Sequence, residues 1–212
     1  MKAVIFDKDG VLHDSTVHVQ NAVKKFMVSY KVDHTEEEAR EFIGKSFHQF
    51  LDYVNDRYDL DIKFEDMSRK VREYTIEGMG NSGANEGVLD LINELLDNGI
   101  KIAIASSNRK EFIMEDLGLI GLEGKFPVIV SCDDVEKHKP EPDVFLVAAE
   151  KLDVIPSDCV VIEDALAGVE AAKKAGMKVI ALVTKFHKKE DFDADLVVDS
   201  LKDVNLERIS KL

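Results

Sequence analysis

Ala3-Val4-Ile5-Phe6-Asp7-Lys8-Asp9-Gly10-Val11-Leu12 is the stretch on which the fold turns. Four apolar residues run without a polar break and stop abruptly at an acid. A strand that reads apolar on both faces is one covered on both sides, as in a parallel sheet. The pattern returns at Ile100-Lys101-Ile102-Ala103-Ile104-Ala105, Val128-Ile129-Val130 and Val160-Val161-Ile162. It comes once more at Lys178-Val179-Ile180-Ala181-Leu182, after Gly176 ends a helix. Between these runs the apolar spacing becomes helical, as at Val88, Leu91, Ile92, Leu95 and Leu96. Strands alternating with helices predict an α/β fold: a doubly wound, Rossmann-like parallel sheet.

Residues 16–81 break that rhythm. They carry no buried-strand run but three helical patterns. The first passes through Val19, Val23, Phe26, Met27 and Tyr30. The second starts at Thr35, with Glu38 as its capping-box partner, and continues through Phe42, Phe47, Leu51 and Val54. The third passes through Phe64, Met67, Val71, Tyr74 and Met79. The segment Gly78-Met79-Gly80-Asn81-Ser82-Gly83 then reads as flexible, with residues 80–83 as a hinge. The expected organisation is a core of residues 1–15 and 82–212 carrying a helical insert at 16–81.

The chain has 212 residues, 45% hydrophobic and 33% charged, the balance of a soluble globular protein. No apolar run approaches the roughly 18 residues that span a bilayer, so no membrane partner is expected. The N-terminal residues lack a signal-peptide pattern, and the expected location is the cytoplasm. A formal net charge of −14 argues against a nucleic-acid partner, which needs a basic footprint. The same charge means that an anionic substrate needs a locally positive site. Cys132 and Cys159 read as reduced structural residues.

Ligands of an open parallel sheet bind at the carboxyl ends of its strands. There the chain places Asp7-Lys8-Asp9-Gly10 after the first run and Ser106-Ser107-Asn108 after the second. Lys139 follows the third, and Glu163-Asp164 the fourth. Asp7, Asp9 and Asp164 cannot share a site fully ionised without a cation. A hard, oxygen-ligated ion fits magnesium. A carboxylate attacking phosphorus needs its charge offset, which the ion and Lys139 supply, while a second carboxylate passes a proton.

These residues resemble the haloacid dehalogenase superfamily, in particular its helical-cap phosphatases and phosphomutases of the β-phosphoglucomutase type. The Asp-x-Asp-Gly-Val-Leu motif lies at 7–12, followed by Asp14-Ser15. The strand ending in a hydroxyl residue is matched at Ser106. Lys-Pro-x-Pro-Asp lies at 139–143, and the Glu-Asp-x-x-x-Gly motif within 162–176. The four stand in order along the whole chain.

The resemblance implies that Asp7 becomes an aspartyl-phosphate and that Asp9 is the general acid and base. It implies that Ser106 and Asn108, with Ser107 between them, bind phosphoryl oxygens, and that Lys139 bridges Asp7 and the phosphoryl group. Mg2+ would be held by Asp7, the Asp9 carbonyl and Asp164, with Glu163 either a further ligand or a residue behind the ligands. Residues 16–81 would form the cap, with Lys45 its candidate for touching substrate. Val19 stands where many relatives carry a histidine, with His18 one place earlier, and His138 stands where a small residue is usual. Both departures bear on substrate choice.

The implied activity is hydrolysis of a small phosphorylated metabolite by a monomer or weak homodimer. The alternatives are a phosphomutase and a non-catalytic phosphometabolite-binding protein, against which the intact Asp7, Asp9 and Lys139 argue. Gly44-Lys45-Ser46 is not a nucleotide P-loop, because Ala39 replaces its first glycine.

Overall fold

The computed structural model describes residues 1–32, 47–80, 83–185 and 187–212. The chain divides into two units, Met1–Asp14 with Gly83–Leu212, and Ser15–Ser82.

In the first unit the apolar runs become strands β1 (Ala3–Phe6), β2 (Lys101–Ala105), β3 (Val128–Val130), β4 (Cys159–Glu163) and β5 (Lys178–Leu182). A sixth, β6 (Leu196–Val198), joins them at the edge. All pair in parallel, in the order β3-β2-β1-β4-β5-β6. The chain builds outward from β1 through β2 to β3, then returns to add β4 on the other side of β1. Such a reversal leaves a crevice at the carboxyl ends of the two central strands.

Both sheet faces are covered, as the unbroken apolar runs require. On one face Ala3, Ile5, Ala103, Val161 and Val179 join a core with Phe145 and Ala148 of α6 (Asp143–Lys151) and Val169 and Ala172 of α7 (Leu166–Lys174). The alternate residues Val4, Phe6, Ile102, Ile104 and Ile162 point the other way and are equally buried. Burying each such side chain contributes roughly 1.5–3 kcal/mol. Helix α4 (Val88–Asp97) packs on β2, and α5 (Lys110–Leu119) links β2 to β3. A short α8 (Leu206–Ile209) closes the chain against α4.

The second unit contains α1 (Ser15–Ser29), α2 (Phe47–Tyr58) and α3 (Phe64–Met79). Ala22, Phe26 and Met27 of α1 meet Phe50, Leu51 and Val54 of α2 and Met67 and Val71 of α3 in a separate core. The start of the second helical pattern, from Thr35, lies outside the described residues, as does Lys45.

Two expectations are corrected. Helix α3 runs through Gly78 and Met79, which the glycine spacing assigns to a flexible segment. Packing of Met79, fully buried, outweighs the weak helix propensity of its neighbour. Even Gly80 has helical φ and ψ and donates its N–H to Ile76 O at 3.1 Å. Strand β6 is absent from the sequence reading. Its three apolar residues, a run as short as that of β3, stand between Asp195 and Asp199, and the flanking acids mask it as a strand. Asp195 instead anchors it, accepting the Val179 N–H at 2.9 Å and pairing with Lys178 at 2.7 Å.

Candidate active site

β1 is paired on both sides through the same turn of sheet, with Phe6 level with Ile104 of β2 and Ile162 of β4. The next residues of the three strands therefore emerge together: Asp7, Ala105 with Ser106, and Glu163 with Asp164. The Asp7 N–H still bonds Ile162 O at 2.9 Å, so its carboxylate leaves from rigid backbone.

Beyond Asp7 the chain turns sharply. Gly10 has φ +80°, and a Cβ there would stand 1.9 Å from Asp164 Oδ2. Glycine at this position is required by the backbone conformation and by the carboxylate that approaches it. Leu12 N–H closes the turn on Lys8 O at 2.9 Å. Asn85 clasps it from outside, donating Nδ2 to Gly10 O at 2.8 Å and Val11 O at 2.9 Å.

Lys139 binds the cluster together. Its Nζ lies 2.6 Å from Asp7 Oδ1, 2.7 Å from Glu163 Oε1 and 3.2 Å from Ala105 O. The loop that delivers it leaves β3 through Ser131, whose N–H and hydroxyl both donate to Asp134 Oδ2, at 2.9 and 2.7 Å. Glu163 turns its other oxygen to the Asp164 and Ala165 N–H groups, both at 2.8 Å. A Cβ at Gly168 would stand 1.7 Å from Glu163 Oε1, so that glycine makes room for the carboxylate.

Asp9 is more open, with 34% of its side chain exposed. Its Oδ2 accepts from Asn108 Nδ2 at 2.5 Å, and its Oδ1 pairs with Lys8 Nζ at 2.8 Å. Ser106 is buried, and its Oγ accepts the Asn108 N–H at 3.2 Å, fixing the loop after β2. Ser107, between them, is exposed.

The electrostatics follow from this crowding. Burial raises the Asp7 carboxyl to about 7, with Glu163 and Asp9 adding to the rise and Lys139 opposing it. Asp164 rises to about 9, from burial first and then from its Glu163, Asp7 and Asp9 neighbours. Burial pulls Lys139 down, but Asp7 and Glu163 outweigh it and raise it above the usual lysine range. The carboxylates of Asp7, Asp9, Glu163 and Asp164 thus face the ammonium groups of Lys139 and Lys8. One oxygen each from Asp7, Glu163 and Asp164 lies within 4.8 Å of the others. A divalent, oxygen-ligated cation fits the Asp7 and Asp164 oxygens of this group, and its charge would offset the burial and mutual repulsion that raise the two acids.

The structure therefore brings together Asp7, Asp9, Ser106, Asn108, Lys139, Glu163 and Asp164, and leaves Ser107 facing solvent. Lys8, Asp116 and Asn85 are additions. Lys8 is legible afterwards as a lysine closing an apolar run between two acids. Asp116 is legible as an acid set between Ile113 and Leu117 on the buried face of α5. Asn85 carries no local signal, because its partners are backbone carbonyls distant in sequence.

The profile of the family described as haloacid dehalogenase-like hydrolase matches residues 4–182. A phosphorylated carbohydrates phosphatase of Thermotoga maritima is 33% identical over 85% of this chain and 84% of its own length. A β-phosphoglucomutase of Bacillus subtilis is 35% identical over 98% of this chain and 93% of its own. Among solved structures, CbbY from Rhodobacter sphaeroides in complex with phosphate superposes with a TM-score of 0.85 at 27% identity. That match covers 99% of each chain. The family match reaches from β1 through β5 and includes all four motif positions, and the chain belongs to the haloacid dehalogenase-like hydrolase family, as a phosphohydrolase.

Proposed function

We propose that the protein is a Mg2+-dependent phosphatase of small organophosphates, sugar phosphates foremost, working through an aspartyl-phosphate on Asp7. The observation that carries this reading is the buried Asp7 carboxylate, held by Lys139 at 2.6 Å beside Asp164 and two residues before Asp9. Asp7 attacks phosphorus, the ester P–O bond breaks, and Asp9 protonates the departing alkoxide. Asp9 then takes a proton from water, which attacks the phosphoryl group, and the P–O bond to Asp7 breaks. Ser106 and Asn108 receive phosphoryl oxygens, and Lys139 offsets their charge.

Asp7, Asp164 and the Asp9 carbonyl would hold Mg2+, which when bound supplies a Lewis acid for the transferring oxygens. Glu163 serves the site from behind, because one of its oxygens holds Lys139 and the other two backbone N–H groups. The helical unit Ser15–Ser82 acts as the substrate-selecting cap. The names of the two curated relatives favour a phosphorylated sugar.

The test is a panel of phosphorylated metabolites assayed for phosphate release with Mg2+ and with excess chelator. Release from at least one sugar phosphate, abolished by chelator and restored by Mg2+, is expected. Undiminished release in chelator would refute the metal dependence. The similarity to a β-phosphoglucomutase over nearly the whole chain favours a second reading, a phosphomutase. Isomerisation of a sugar monophosphate that requires a bisphosphate activator would identify it.

A further inference from the structure

Lys8 and Asp116 form an ion pair to which the roles above assign no task. Their side chains are 1% and 2% exposed. Desolvating two charges roughly offsets their attraction, and apolar residues of similar volume commonly stabilise a fold as well or better. Stability alone therefore does not account for a lysine at the end of an apolar strand, directly between Asp7 and Asp9. Its third partner does, since the same ammonium lies 2.8 Å from Asp9 Oδ1.

Asp9 is exposed enough for its carboxyl group to rotate among several rotamers, and proton transfer needs it within hydrogen-bond reach of the reacting oxygen. Asn108 holds Oδ2 at 2.5 Å. That amide is also the group expected to turn to an incoming phosphoryl oxygen, so it is not a constant restraint. Lys8 has no such second task. Helix α5 presents Asp116 to it from within a buried face that includes Ile113 and Leu117. The anchor is therefore set in the core and not in the loop.

We propose that Lys8, fixed by Asp116, is a positioning residue that holds Asp9 by Oδ1 and thereby assigns proton exchange to Oδ2. A proton on Oδ1 would set a donor against the Lys8 ammonium, whereas a proton on Oδ2 leaves Oδ1 an acceptor for it. The proposal rests on the reading of Asp9 as general acid and base.

The test compares leaving groups. p-Nitrophenolate departs from phosphorus without needing a proton, whereas the alkoxide of an alkyl phosphate needs one. The Lys8→Met/Asp116→Leu double variant removes both charges together and leaves neither buried alone. Single-turnover release of alcohol, with Mg2+, is measured on p-nitrophenyl phosphate and on the best alkyl phosphate of the panel. Asp9→Asn is run beside it. General acid catalysis contributes about 100-fold or more. The alkyl rate of the double variant is expected to fall at least about 30-fold, with KM little moved, and the aryl rate at least about tenfold less. Asp9→Asn should show the same selectivity more strongly.

Asp116→Asn keeps the shape of the pair and should show the same selectivity at smaller size, which preserves the test if the double variant misfolds. Equal losses on both esters in a folded variant, or none on either, would overturn the proposal. A leaving-group-blind Asp9→Asn in an active background would remove the role of Asp9, and this one with it. A wild-type enzyme that releases alcohol from neither ester would remove the phosphatase reading proposed above, and the positioning role with it.

Discussion

Glycines 10 and 168 are where single methyl groups should matter most. At Gly10 an added Cβ meets Asp164 Oδ2 at 1.9 Å and the backbone sits at φ +80°; at Gly168 it meets Glu163 Oε1 at 1.7 Å. Gly10→Ala is expected to displace the Asp164 carboxylate, add about 1–2 kcal/mol of backbone strain and weaken Mg2+ binding at least tenfold. Gly168→Ala should push Glu163 away from the Asp164 N–H and Ala165 N–H groups and reduce turnover. Gly118 of α5 has nothing within 4 Å of its would-be Cβ, so Gly118→Ala should instead stabilise by roughly 0.5–1 kcal/mol. Urea unfolding and Mg2+ titration of the three variants check this, and a common sign for all three would contradict it. At this scale the sequence showed Asp7, Asp9, Lys139 and Asp164 through their motifs. It did not show that Glu163 is filled by Lys139 and two N–H groups, because those bonds join strands distant in sequence.

Strands β1 and β4 carry the strongest electrostatic consequence, since their ends bring Asp7 and Asp164 together. Both acids have folded pKa values above the ordinary 3.8, at about 7 and about 9. The folded chain therefore keeps protons that the unfolded chain has released. Their contribution to stability is full below about pH 4 and is lost as pH rises through about 7 for Asp7 and about 9 for Asp164. The depressed acids Asp134 and Asp195 titrate below this window and leave it clear. The unfolding free energy of the metal-free protein, from urea titrations, should fall between about pH 5 and about pH 9 by on the order of a few kcal/mol, and the urea midpoint with it. Saturating Mg2+, bound by the ionised carboxylates, should flatten that fall, so that its stabilising effect grows with pH. A metal-free midpoint that rises across the window would contradict the cluster. The central strands were legible because burial on both faces leaves long branched apolar runs. β6 was not, because Asp195 and Asp199 flank its three apolar residues on both sides. α3 continued through Gly78 because the buried Met79 decides its end and propensity does not.

For the molecule as a whole, a chain of net charge −14 leaves most of its 28 lysines and arginines at the surface but sets the nearly buried ammonium groups of Lys8 and Lys139 at one sheet edge. Under the proposed function these two lysines, with the Mg2+ that Asp7 and Asp164 would hold, would offset the charge of an anionic ester that an acidic surface otherwise repels. The order of six parallel strands, with its reversal beside β1, makes that edge, and the α/β alternation was legible from the first apolar run onward. The substrate was not legible, since no spacing rule in the motifs at residues 7–15, 106, 139–143 and 162–176 encodes which phosphate ester is taken. The proposed chemistry turns on a covalent intermediate at Asp7. The direct measurement is mass spectrometry of peptides from acid-quenched enzyme, after mixing with Mg2+ and its best substrate. A phosphoryl group is expected on the peptide containing Asp7 and not in Asp7→Asn, which should fold normally and lose turnover. A phosphoryl group on another residue, or sustained turnover by folded Asp7→Asn, would contradict it.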